Sequence, residues 1–131
     1  VVALTGKYRV VPENSTAADT YVFTMLGVQF LLQNNLLRIG GAGGEFQMIT
    51  AEAFRAVGGF DERLPAAEDM DLFRRLSRIG RTRFERRLTV YHSGRRAHAV
   101  GWPTLLWQWF SNSLSVFVFR RSASSEWTVV R

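Results

Sequence analysis

The sequence predicts an α/β domain, a sheet with helices packed on it, and three observations lead there. Stretches of strand character alternate with stretches of helical spacing along most of the chain. The 131 residues are 47% hydrophobic and include ten Phe, four Trp and three Tyr, enough apolar area for one stable core and too little chain for two. There is no cysteine, which excludes disulfide staples, thiolate metal sites and a Cys nucleophile and is compatible with a reducing cytosol.

Val1-Val2-Ala3-Leu4-Thr5 is an apolar, β-branched run closed by Gly6, the form of a strand buried on both faces. A loop follows at Pro12-Glu13-Asn14-Ser15. Between residues 18 and 38, Tyr21, Met25, Val28, Leu32 and Leu36 recur every three or four positions, with Asp19 early and Arg38 late as the helix dipole favours. This predicts one amphipathic helix buried along that stripe. Gly40-Gly41-Ala42-Gly43-Gly44 precedes the alternating run Glu45-Phe46-Gln47-Met48-Ile49, a strand. A phosphate-cradling loop must open a helix, so the glycines read as a tight turn or a close backbone approach.

Thr50 is placed to cap a short helix through Val57, with Glu52 in its first turn and Gly58 as its left-handed stop. Gly59-Phe60-Asp61 then turns the chain. A second long helix is predicted from about Ala66 to Ile79, ended by Gly80, with Leu72, Phe73, Leu76 and Ile79 as its apolar stripe. Residues 81 to 92 read as a strand through Phe84, Leu88 and Val90, and Arg86 breaks their parity as an edge or a bulge would. From Ala97 to Phe119 no Asp, Glu, Lys or Arg occurs, and Trp102, Leu105, Leu106, Trp109, Phe110 and Leu114 sit at helical spacing. Pro103, Gln108 and several Ser and Asn residues there argue against a membrane span.

Charge is concentrated. Sixteen Arg and one Lys stand against eleven acids, for a net +6, and nine of the Arg fall between Arg74 and Arg96. Such a field implies an anionic partner, whether nucleotide, lipid head group or nucleic acid. The opening residues lack the pattern of a secretory signal, and a start at Val within a buried strand implies a piece of a longer polypeptide.

Glu68-Asp69-Met70-Asp71 carries the most chemical information. At about 100° per residue, Asp69 falls roughly 30° from the centre of the apolar stripe of its helix, Glu68 about 70° and Asp71 about 130°. Asp69 is therefore expected to face the protein body, in a cleft at the first turn where free backbone N–H groups keep it ionised as a general base. Asp71 is expected to point outward, in a solvated pair with Arg74 or Arg75. Asp69 and Asp71 diverge by about 200° on a helix, so this Asp-x-Asp cannot clamp one cation.

The order Val2-Ala3-Leu4-Thr5-Gly6, long helix, Gly43-Gly44-Glu45-Phe46, then Val57-Gly58-Gly59-Phe60-Asp61-Glu62 and Glu68-Asp69-Met70-Asp71-Leu72 resembles the C-terminal half of family 2 glycosyltransferases. The resemblance spans residues 1 to about 96, with residues 97–131 an appended amphipathic aromatic helix and tail. It implies a partial GT-A (Rossmann-like) domain, a three-layer α/β arrangement of mixed sheet and flanking helices. It further implies inverting transfer from a nucleotide-diphosphate-sugar donor to a hydroxyl acceptor, on a sugar or a lipid-linked molecule. Asp69 would be the catalytic base, with Glu68 beside it, and Gly58, Gly59 and Phe60 would shape the acceptor pocket. Ser93-Gly94-Arg95-Arg96 looks like the Ser-x-Arg-Arg segment of a bacterial subgroup, in which Arg95 and Arg96 would lie near the departing diphosphate or an anionic acceptor; as adjacent forks of a post-strand loop, both can face one phosphate group. His92, and more remotely His98, would be a metal ligand. The divalent metal, Mg or Mn, would be bound mainly by an N-terminal half that precedes Val1, so this chain alone is expected to be inactive.

Two rival readings stand beside this one. A nucleic-acid module would use the Arg-rich run, but Phe73 and Phe84 read as core and leave few aromatics for base stacking, so no nucleic acid is expected. A membrane-surface module would lay Trp102, Trp107, Trp109 and Phe110 in the interface with Arg120 and Arg121 on anionic phosphates, and it can coexist with the enzyme. Together these imply a cytoplasmic protein, peripheral at the inner face of the membrane, with open sheet edges that invite self-association.

Overall fold

A computed structural model of the chain describes residues 1–64 and 66–119, so Arg120, Arg121 and the tail fall outside the described residues. Its elements run β1 (Ala3–Val10), α1 (Ala17–Leu31) continued by a π-helical turn (Leu32–Leu36), β2 (Met48–Ile49), α2 (Ala51–Ala56), α3 (Glu68–Ile79), β3 (Thr82–His92), α4 (Arg95–Val100) and α5 (Trp102–Phe119). The three strands form an open mixed sheet in the order β2-β1-β3. β1 is antiparallel to β2 and parallel to β3.

β1 does not stop at Gly6. It continues to Val10 because β3 crosses Gly6 so closely that a Cβ there would stand 2.8 Å from the Leu88 carbonyl oxygen; the glycine marks a close approach within the strand. Between Gly6 and Lys7 the register jumps from Glu85 to Thr89, so Arg86, Arg87 and Leu88 form an excursion of an edge strand. The parity break at Arg86 thus corresponds to a bulge.

α1 departs from its predicted orientation. Tyr21, Met25, Val28, Leu32 and Leu36 are all exposed, and the buried face carries Asp19, Phe23 and Phe30 instead. The helix is apolar almost all round, so two stripes compete, and the larger rings of Phe23 and Phe30 take the core with Tyr8, Val10 and Phe84. Leu72, Phe73 and Leu76 of α3 are fully buried as expected, against Ala3, Ala42 and Ala53, whereas Ile79 in the last turn is exposed.

The run Glu45 to Ile49 pairs as a strand only at Met48 and Ile49, because the Phe46 carbonyl is bound by the Thr5 and Tyr8 hydroxyls. Thr50 Oγ1 caps α2 by accepting from the Ala53 N–H at 3.2 Å, and Gly58 follows at φ 79°. α4 was not predicted: Gly94 in the left-handed region starts a helix at Arg95, where a loop was expected.

Candidate active site

α3 opens abruptly. Ala67 precedes it at φ 61°, an unusual conformation for a residue with a Cβ, and provides no side-chain cap. The backbone N–H groups of the first turn are therefore uncapped by any side chain of Ala67, and the Met70 N–H donates to Asp69 Oδ1 at 2.7 Å. Asp69 Oδ2 faces Gly44, where a Cβ would come within 3.2 Å of it. The glycine run thus lets the loop lie against the carboxylate, a close backbone approach.

Tyr8 fixes that loop. Its hydroxyl lies 3.0 Å from the Gly43 carbonyl, 2.9 Å from the Phe46 carbonyl and 2.8 Å from Thr5 Oγ1, and it accepts the Gly43 N–H at 3.1 Å. Burial pushes the phenol up to about 12, so it stays a neutral anchor. Gly44 and Glu45 are held between these two carbonyls. No motif in the sequence singled out Tyr8, because a strand tyrosine reads as core.

The electrostatics of Asp69 differ from the sequence expectation. Its carboxyl is half-buried, and burial, reinforced by the negative charges of Glu68 and Glu45, pushes its pKa up to about 7, against the smaller lowering by the Met70 N–H. The helix start does not keep it ionised at low pH; it is poised near neutrality, where a general base works best.

Asp71 is corrected more sharply. It is buried at 1% exposure, and its Oδ2 accepts from Arg75 Nε at 2.9 Å. Arg75 also donates to the Val57 and Gly59 carbonyls, both at 2.8 Å. The outward face of α3 is covered by the turn after α2, which makes the pair a clamp fastening the Gly58-Gly59 turn to the helix that carries Asp69 and not a solvated ion pair. Gly58 and Gly59 both have positive φ, 79° and 71°. Phe60 beyond them is exposed and meets the Phe54 ring edge-on at 5.8 Å. Asp61 closes the turn with a two-pronged contact to Arg63, at 3.0 and 2.9 Å, which holds its carboxyl down at about 2. The glycine turn and the acidic helix start, separate motifs in the sequence, are thus one hydrogen-bonded unit.

The β3–α4 junction belongs elsewhere, against α1. His92 packs edge-on against Phe23 at 4.7 Å, and its Nδ1 accepts the Gly94 N–H at 3.2 Å. His98 Nε2 donates to Asp19 Oδ2 at 2.6 Å, and Trp102 Nε1 to Asp19 Oδ1 at 2.9 Å. Asp19 in turn forms a capping box with Thr16. Thr16-x-x-Asp19 spacing could have revealed that box; nothing local could have revealed the two distant donors. As consecutive residues at the start of α4, Arg95 and Arg96 point about 100° apart, Arg95 exposed and Arg96 half-buried with its guanidinium pKa lowered by burial. They are not the side-by-side forks of a loop.

Among the described residues no group of three His, Asp or Glu side chains could hold a metal ion. Asp71 is committed to Arg75, and the Nδ1 of His92 to Gly94. The donor set for a divalent cation is not met by these residues. Two hollows stand out on the surface, and Asp69 lines neither. The chain matches no protein-family model, no curated protein and no solved structure.

Proposed function

We propose that this chain is the acceptor-side, base-carrying half of an inverting glycosyltransferase with a GT-A (Rossmann-like) architecture. The observation that carries the reading is the Asp69 carboxyl, half-buried, without a cationic partner among its hydrogen bonds, and raised to about 7. Unpaired, partly desolvated carboxylates are costly, and sites of chemistry are where such a cost is tolerated. The mixed sheet, with β2 at its edge, and the clamp joining the Gly-Gly-Phe turn to α3 support the same reading.

In the proposed reaction the ionised Asp69 accepts the proton of an acceptor hydroxyl as that oxygen forms a bond to the anomeric carbon. The bond from that carbon to the nucleoside diphosphate breaks with inversion, and the diphosphate departs with the electron pair. Glu68 and Glu45 raise the basicity of Asp69, while Gly58, Gly59 and Phe60 border the acceptor. The resemblance implies a divalent metal, Mg or Mn, at the donor diphosphate, held mainly by the family's N-terminal half; the described residues supply no ligand set for it. On this reading the protein works in the cytoplasm, and the chain alone does not turn over. The test is transfer from a panel of nucleotide-diphosphate sugars by the polypeptide extended through its upstream coding region, with and without Asp69→Asn. Near-normal transfer by the variant overturns the assignment.

One observation favours a membrane-surface role beside this. Leu106, Trp107, Phe110, Leu114 and Val118 form an exposed stripe on α5, as an interfacial helix requires, whereas Trp102 and Trp109, expected in the same interface, turn inward against Phe23 and its cluster. No helix among the described residues is long and apolar enough to cross a membrane.

A further inference from the structure

The arginine-rich run is sorted by the fold into distinct tasks. Arg75 is spent on the clamp, and Arg95 and Arg96 open α4. Three others, Arg83, Arg86 and Arg87, gather with Lys7 around a hollow of about 750 Å³ that also includes Asn35 and Glu85. We propose that this hollow is a binding site for a phosphate-bearing anion, and the inference does not rest on the glycosyltransferase reading.

Three features build the site. First, β3 makes room by its excursion: Arg86 and Arg87 belong to the three residues that have no partner in β1, so their side chains are freed from strand alternation. Second, the excursion is fixed on both sides. Asn35 grips Phe84 as a neighbouring strand would, accepting its N–H at 2.8 Å and donating to its carbonyl at 3.1 Å. Glu85 Oε1 accepts the Arg87 N–H at 3.1 Å, and Gly6 lets the Leu88 carbonyl close over β1. Third, positive charge is in excess. Four cationic side chains line the hollow against one carboxylate, Glu85, which pairs with Arg83 at 3.3 Å. A positioned cluster of guanidinium forks and one ammonium, open to solvent, matches the multiple acceptor oxygens and double charge of a phosphate group.

The phosphate could be carried by a soluble molecule or by a lipid head group. Leu32 and Leu36, exposed on the π-helical turn, flank Asn35 and continue the apolar stripe of α1 up to the hollow, so either source can reach it. Two probes distinguish them: inorganic pyrophosphate, followed by NMR shifts of the Lys7, Arg86 and Arg87 amides, and sedimentation with phosphatidylcholine vesicles with and without about one-third phosphatidylglycerol. Binding of either probe is expected, and the Arg86→Gln/Arg87→Gln double variant should weaken it about tenfold or more. The Arg55→Gln/Arg78→Gln double variant removes the same charge from exposed positions elsewhere and should change it less than about twofold. Glu85→Gln keeps the acceptor for the Arg87 N–H and should tighten binding about threefold. Pyrophosphate binding alone marks a soluble ligand, and vesicle binding alone a head group; both outcomes support the site. Equal weakening by the two double variants, or no binding of either probe, overturns it.

Discussion

Asp19 and Asp69 each stand in the first turn of a helix, and the two carboxylates have opposite fates. Asp19 is fully buried, and burial alone would raise its pKa, yet hydrogen bonds from His98, Thr16 and Trp102 bring it below the usual carboxylate value. Asp69 is half-buried; burial first, and then the acids Glu68 and Glu45, push its pKa up to about 7, because its hydrogen bonds come only from backbone N–H groups and offset too little of that rise. Burial raises both, and the partners decide in which of them that rise is offset. Asp19 locks α4 and α5 onto α1, and Asp71 locks the glycine turn onto α3. Asp69 is surrounded by locked structure, and its own hydrogen bonds come only from backbone N–H groups at its helix start, the condition of a group held ready for a proton.

Exchanging the residues tests that contrast. The largest effect is expected from Asp69→Asn, which should lower sugar transfer by about 10²–10⁴-fold in the extended polypeptide, measured at saturating donor, with donor affinity retained. Next, Asp19→Ala and Arg75→Ala should each destabilise the fold by about 3 kcal/mol, because each leaves buried donors or a buried charge without its partner. Urea denaturation of the chain measures both. Asp69→Asn should instead stabilise it at neutral pH.

The pH dependence separates the same two residues. Asp69 has a folded pKa above its unfolded value, so the unfolded chain releases its proton first. Stability then falls as pH rises from about 4 to about 7, by as much as ~4 kcal/mol from the displacement itself and about half that after solvent screening at a half-buried group. Asp19 has a folded pKa below its unfolded value, so its contribution is present above about pH 4 and is lost as pH falls through the folded pKa. Asp69→Asn should flatten the first limb and Asp19→Asn the second, in melting temperatures followed across that range. The smallest expected effect is Gly59→Ala, about 1–2 kcal/mol, since φ 71° disfavours a Cβ that would also press to 3.0 Å from the Phe54 ring.

Much of this was legible in the residues. The spacing of Leu72, Phe73 and Leu76 located α3 and the face on which Asp69 lies, Thr50 and Gly58 bracketed α2, and Arg86 marked the bulge. Local pattern failed where tertiary partners decide. The α1 stripe was inverted because Phe23 and Phe30 outcompete an equally periodic set, and nothing near Asp19 in sequence announces His98 or Trp102, about eighty residues away. Asp71 seemed solvent-facing on an isolated helix, since helix geometry contains no information about the turn that covers it. For the same reason the expectation that free N–H groups keep Asp69 ionised is overtaken by the burial that the folded chain imposes on it, with the charges of Glu68 and then Glu45 behind it.

The most direct test follows the Asp69 carboxyl carbon by NMR through a pH titration of the intact chain, alongside Glu68→Gln. A midpoint near 7 that moves down when the Glu68 charge is removed is the predicted result. A midpoint near 4, indifferent to Glu68, would make Asp69 an ordinary helix-start aspartate and remove the basis for assigning it as a base.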